Sequence, residues 1–197
     1  MGIFEHYQQR YEKAREEEYS IQEFLDMCKQ DKSCYASAAE RLLVAIGEPE
    51  MIDTSVNPRL SRLFSNRVVA RYPAFKDFYG MEEAIEQIVS YLKHSAQGLE
   101  EKKQILYLLG PVGGGKSSLA ERLKSLMQRV PIYVLSANGE RSPVNDHPLC
   151  LFNPQEDAQI LDKEYGVPTR YLGTIMSPWA AKRLHEFGGD ITKFRVI

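Results

Sequence analysis

Cysteine and histidine are scarce in this 197-residue chain, with three of the first and four of the second. Cys28, Cys34 and Cys150 form no C-x-x-C pair, and no histidine stands at metal-ligand spacing, which argues against a zinc site. An odd number of thiols without a pairing pattern fits free, buried cysteines in a reducing compartment. A surplus of charge is also lacking. The formal net charge is −2, so the balance asks for no nucleic-acid partner and marks no acidic tail. Long apolar runs are missing, so nothing in the sequence is fit to span a membrane. The N-terminus Met1-Gly2-Ile3-Phe4-Glu5-His6 has no signal segment, and His6 stands where a myristoylation signal needs Ser or Thr. These absences lead to the expectation of a soluble cytoplasmic protein with neither membrane nor nucleic acid as partner. What is present suits a packed core: 43% of residues are apolar and 26% charged, close to the globular average.

Residues 1–47 read as helices. Phe4, Tyr7, Tyr11 and Ala14 recur at spacings of three and four. Ser20 and Glu23 have capping-box spacing ahead of the stripe Ile21, Phe24, Leu25 and Cys28. Ala36 to Ile46 carries Ala39, Leu42, Leu43 and Ile46 on one face, with Gly47 as a stop. The run Glu16-Glu17-Glu18 reads as a solvated face. Pro49, Asn57-Pro58 and Pro73 then mark turns around a short helical piece near Leu60 to Phe64. A boundary is placed here, giving a helical region 1–70 and a second domain 71–197. Within the latter, Ala84, Ile85, Ile88, Val89 and Leu92 fit a helix that opens after Gly80.

Ile105 to Leu109 is a continuous apolar run of strand length, as in a strand covered on both faces of a parallel sheet. A glycine loop follows, then an amphipathic helix from Ser117 to Arg129 with Leu119, Leu123, Leu126 and Met127 inward, then a second strand candidate at Ile132 to Leu135. That order predicts a βαβ unit. Beyond it, Asn138-Gly139 and Ser142-Pro143 signal turns, 156–165 and 178–187 read as helices, and Phe194 to Ile197 opens a strand.

The loop reads Gly110-Pro111-Val112-Gly113-Gly114-Gly115-Lys116-Ser117. A triphosphate needs many donors near its oxygens. Successive backbone N–H groups supply them where no side chain intervenes, which is the use of Gly113, Gly114 and Gly115. A helix starting near Lys116 points its positive end at the anion. Lys116 is the candidate catalytic cation for the β- and γ-phosphates, Ser117 the candidate ligand for Mg²⁺, and Ser118 an added donor near the α-phosphate. Strand-like residues before the loop and a helix after it are the context this motif requires. The spacing is not G-x-G-x-x-G, and neither H-R-D nor D-F-G occurs.

Upstream, Asp77-Phe78-Tyr79-Gly80-Met81-Glu82-Glu83-Ala84-Ile85 resembles the segment before the Walker loop in AAA+ ATPases. That resemblance places Tyr79 and Gly80 at the base of the nucleotide. Further stretches are similar to the N-terminal part of the PrkA family: Arg62 to Asn66, Tyr72 to Phe75, Leu109 to Ser118, Ser142-Pro143-Val144, Tyr171-Leu172-Gly173 and Met176-Ser177-Pro178. The resemblance covers essentially the whole chain. It implies an α/β fold with an incomplete parallel-sheet core of the AAA+-like P-loop NTPase type, preceded by a small helical region. It also implies ATP and Mg²⁺ as cofactors, a protein substrate, a homo-oligomer in the full-length protein, and a bacterial cytoplasmic role in stress and starvation. Family members are named serine protein kinases, and an ATP-dependent proteolytic role has also been proposed for them.

A P-loop ATPase needs a second acidic motif at the end of a strand. Gln159-Ile160-Leu161-Asp162 is the nearest match, but it sits in a helical pattern. The chain is therefore expected to be the N-terminal part of a longer protein, binding ATP without completing the chemistry alone. Three functions stay open. The first is ATP binding that serves a serine kinase, for which Asp146 and His147 are the nearest candidate base. The second is a motor or protease-type ATPase that remodels its substrate without phosphotransfer. The third is a docking fragment built on the aromatics of residues 1–70: Phe4, Tyr7, Tyr11, Tyr19, Phe24 and Tyr35.

Overall fold

The computed structural model describes residues 17–56 and 58–197. The expected helical stripe of Phe4, Tyr7, Tyr11 and Ala14 lies outside the described residues. In chain order the elements are β1 (Tyr19–Ser20), α1 (Ile21–Gln30), α2 (Ala38–Ile46), β2 (Glu50–Asp53), α3 (Pro58–Phe64), β3 (Val68–Arg71), α4 (Glu82–Ala96), α5 (Lys116–Met127), β4 (Leu135–Ala137), β5 (Glu140–Arg141), α6 (Ala158–Tyr165), α7 (Pro178–Glu186) and β6 (Arg195–Val196). They group into two compact units. Among the described residues, one gathers 17–35 with 132–197, and the other spans 36–131. Neither cut falls at the 70/71 boundary expected from the sequence.

In the first unit Ser20 opens α1 with a reciprocal cap. Its hydroxyl accepts from the Glu23 N–H at 3.2 Å, and the Glu23 carboxylate accepts from the Ser20 N–H at 2.7 Å. This satisfies two otherwise orphaned donors and sets the phase of the helix. Ile21, Phe24, Leu25 and Cys28 then turn inward, as the spacing predicts. They meet Leu135, Leu149, Phe194 and Val196, all fully buried. Asn138 (φ 54°) and Gly139 (φ 77°) join β4 to β5 in a two-residue turn whose two left-handed residues match the twist of the strands. The sheet runs β1-β6-β4-β5 with every pairing antiparallel. Phe24 and Tyr35 are core residues here, at 0% and 5% exposure.

In the second unit α2 repeats the capping box through Ser37 and Glu40 and stops at Gly47 (φ 78°). Its Leu42 and Ile46 pack with Phe75, Ile85, Ile88, Val89 and Leu92 and with Leu119 and Leu126 of α5. Strands β2 and β3 form a separate antiparallel pair.

The fold is thus mixed α/β, but both sheets of the described residues are antiparallel. The βαβ expectation is corrected at its first strand. Residues 105–110 carry no strand, and Ile105, Tyr107 and Leu109 stand 91%, 78% and 84% exposed. The second strand forms three residues later than expected, at β4. Val134 exchanges backbone bonds with Ile197 at 2.8 and 3.0 Å, and β4 pairs with β6 rather than with 105–109. A continuous apolar run states that a segment wants burial, not which neighbour supplies it.

Candidate functional site

The glycine loop sits in the second unit at the start of α5. Gly113 (φ 80°) and Gly115 (φ 75°) are left-handed, and Gly115 is the N-cap of α5. Alternating hand at successive residues makes a concavity of amides, the shape an anion needs. Side chains would fill it. A Cβ on Gly114 would come within 3.1 Å of the Pro111 carbonyl oxygen, and one on Gly115 within 3.0 Å of Met81 Sδ. No side chain caps the N-terminus of α5, so the first-turn N–H groups of Lys116, Ser117 and Ser118 keep their donor capacity and the positive end of the helix is open. The loop is presented outward: Pro111 to Gly114, Ser117 and Ser118 are exposed, and Gly115 and Lys116 are half-buried.

Lys116 curls over this cradle. Its Nζ donates to the carbonyls of Gly110 at 2.7 Å and Pro111 at 2.6 Å, so the ammonium is held at the loop by its own backbone. These residues fit a phosphate group. The donors are backbone amides, a hydroxyl and one ammonium, and the glycines leave the hollow clear.

Beside the loop is a hollow of about 300 Å³. Gly110, Pro111, Gly114 and Lys116 form one part of its wall, Leu106 to Leu109 another, and Met81, Ala84, Gln87, Ile88 and Leu119 the rest. Tyr79 and Gly80 do not line it. Tyr79 is 80% exposed, and Gly80 (φ 76°) makes the turn that starts α4. Met81 and Ala84 belong to the segment that resembles the one before the Walker loop, whereas Gln87 carries no signal in the sequence beyond its place on an amphipathic helix.

Asp146 and His147 lie in the first unit and are committed elsewhere. Asp146, 6% exposed, accepts from Ser142 Oγ at 2.8 Å, Ser177 Oγ at 2.5 Å and Ser177 N–H at 3.2 Å. His147 Nδ1 accepts from the Leu149 N–H at 3.2 Å, which leaves Nε2 to donate to the Cys34 carbonyl at 3.1 Å. Both ring nitrogens are engaged, so this pair holds structure and is not poised as a base. Asp162 lies within α6, so it does not end a strand. Cys28, Cys34 and Cys150 are free and buried. Burial pushes the Cys28 and Cys150 thiols up to about 12, far from the range of a reactive thiolate.

A glycine-lined helix start in a mixed α/β chain is an arrangement that suits an anion, and comparison with known proteins gives the family. The chain belongs to the PrkA AAA domain family, whose model matches residues 19–197; that assignment implies nucleotide use. The chain is 84% identical over 197 residues to the serine/threonine kinase YeaG of Escherichia coli K12, covering 100% of this chain and 31% of that protein. The same figures hold for the protein of that name from Escherichia coli O157:H7. The ATP-dependent protease PrkA of Bacillus subtilis is 30% identical over 200 residues, covering 95% of this chain and 29% of that protein. The chain therefore spans less than a third of the length of these relatives. No solved structure matches it. Among the described residues, no helix is long and apolar enough to cross a membrane.

Proposed function

We propose that residues 110–118 bind the phosphates of ATP together with Mg²⁺, and that in the full-length protein this binding serves phosphorylation of a protein substrate on serine or threonine. The observation that carries the reading is the loop itself: alternating glycines, an uncapped helix start and Lys116 lying over both. Backbone N–H groups of 113–118 would surround the phosphate oxygens. Lys116 would exchange its two carbonyl partners for the β- and γ-phosphates, a stronger charge-assisted contact. Ser117 would offer its hydroxyl to the metal, and Ser118 would add a donor. Tyr79 and Gly80 would stand toward the base. Bound ATP supplies a transferable phosphoryl group, and the metal offsets its charge.

The name of the Escherichia coli relatives supports the kinase role and a protein substrate. A parallel sheet typical of P-loop NTPases fits the family, with 105–109 becoming a strand only where the full-length protein supplies the neighbours that this structure does not, and a homo-oligomer of the full-length protein fits it too. A second reading, an ATP-driven remodelling or protease-type activity, is supported by the name of the Bacillus relative. Incubating full-length protein with ATP and a candidate protein substrate separates the two. Phosphoserine or phosphothreonine on the substrate supports the kinase. ATP-dependent unfolding or cleavage without phosphate transfer supports the other. Absence of ATP binding by calorimetry would refute both.

A further inference from the structure

Arg122 lies on α5, two turns beyond the loop. Gly115, Leu119, Arg122 and Leu126 recur at spacings of four, three and four, so they share one face of the helix. Leu119 and Leu126 on that face are buried at 2% and 0% exposure. Arg122 is half-buried among them and uses its guanidinium three ways. Nη1 donates to the Ala74 carbonyl at 3.1 Å, Nη2 donates to Asp77 Oδ2 at 2.9 Å, and the guanidinium carbon lies 5.6 Å from the centre of the Phe78 ring. All three partners belong to the short stretch that leads into Tyr79-Gly80.

The far end of that stretch meets the loop. Met81 Sδ packs so closely on Gly115 that an added Cβ would lie 3.0 Å from it. Phe75, 3% exposed, anchors the near end and stands edge-on to Phe78 at 5.9 Å. Residues 74–81 are therefore fixed to α5 at two points, Arg122 and Gly115, about 10 Å apart along the helix axis. A planar guanidinium bonded to a carbonyl and a carboxylate while lying over a ring fixes direction as well as distance, which a lysine cannot do.

We propose that Arg122 is a positioning residue for the nucleotide: it sets the turn at 77–81 against the phosphate loop, so that a ligand with both a base and phosphates can bridge them. The inference rests on the nucleotide-site reading above. On that reading ATP reaches from the loop to the turn at 77–81, whereas inorganic tripolyphosphate needs only the loop. Loss of Arg122 should therefore weaken the first ligand and spare the second.

The test is calorimetry on the full-length protein with ATP and with tripolyphosphate, each with Mg²⁺. Replacing a charge-assisted pair of this exposure, Arg122→Gln is expected to weaken ATP about five- to tenfold and tripolyphosphate less than about twofold. Arg122→Lys, which keeps the charge without the fork, should fall between. Asp77→Asn should weaken ATP in the same selective way, and its combination with Arg122→Gln should add little. Thermal melting establishes that each variant is folded; if Arg122→Gln is not, Asp77→Asn carries the comparison. Equal loss for both ligands, or no loss for either in a folded variant, overturns the role of Arg122. If the parent protein binds neither ligand, the nucleotide reading itself falls, and this inference with it.

Discussion

Asp146 and Ser177, 31 residues apart, are joined by a 2.5 Å hydrogen bond from the serine hydroxyl to the buried carboxylate. Ser177 is also the N-cap of α7, its oxygen accepting from the Ala180 N–H at 3.2 Å. One carboxylate thus fastens the turn after β5, through Ser142, to the start of a helix.

Removing that carboxylate leaves two hydroxyls and a backbone N–H short of an acceptor. Asp146→Ala is expected to cost about 2–4 kcal/mol of stability, read as a lower midpoint in urea. Ser177→Ala, which also removes the cap, should cost about 1–2 kcal/mol. An unchanged midpoint for Asp146→Ala would show that the network carries no stability.

Lys116→Ala should leave the fold intact, because among the described residues the Lys116 ammonium bonds the carbonyls of Gly110 and Pro111 on the loop itself. ATP affinity should fall at least about tenfold, the scale of one charge-assisted contact. Calorimetry alongside thermal melting checks both halves. Ser117→Ala should instead flatten the dependence of ATP binding on Mg²⁺; coincident metal titrations of variant and parent would remove Ser117 from the site.

Gly115→Ala forces a side chain into left-handed backbone (φ 75°) and against Met81 Sδ. The backbone strain alone is about 1–2 kcal/mol. A lower melting temperature and loss of ATP binding are expected together. Normal binding by the variant would mean that the loop does not need this conformation.

The buried thiols predict the response to alkali. In the folded chain burial raises Cys28 and Cys150 to about 12, against an ordinary value of 9.0. Below the ordinary value both states hold the protons, and the full stability is present. As pH rises from there toward 12 the unfolded chain releases protons that the folded chain keeps, so stability falls. Denaturant curves at about pH 8 and about pH 10.5 should show this loss, reduced in a Cys28→Ala/Cys150→Ala double variant. Iodoacetamide should label neither cysteine until the chain is unfolded.

What the sequence made legible was local. The boxes at Ser20–Glu23 and Ser37–Glu40, the stop at Gly47, the Asn138-Gly139 turn and the glycine loop each depend on residues within a few positions of one another. Their chemistry needs no tertiary contact. Pairings across the chain left no such trace. Tyr19 faces Val196 in the sheet, and Arg122 reaches Asp77 across 45 residues. Neither spacing follows a period. Residues 105–109 form no strand for the same reason: a strand exists only by virtue of the neighbour that hydrogen-bonds to it. The role of His147 is equally hidden, because it is decided by the Cys34 carbonyl, 113 residues away.

The bare stretch from Ile105 to Leu109 has a practical consequence. Ile105, Tyr107 and Leu109 offer apolar side chains to water, which favours association with any other molecule carrying the same stretch. Concentrated solutions of this polypeptide should turn cloudy with time, and a lysine in place of Tyr107 should keep them clear.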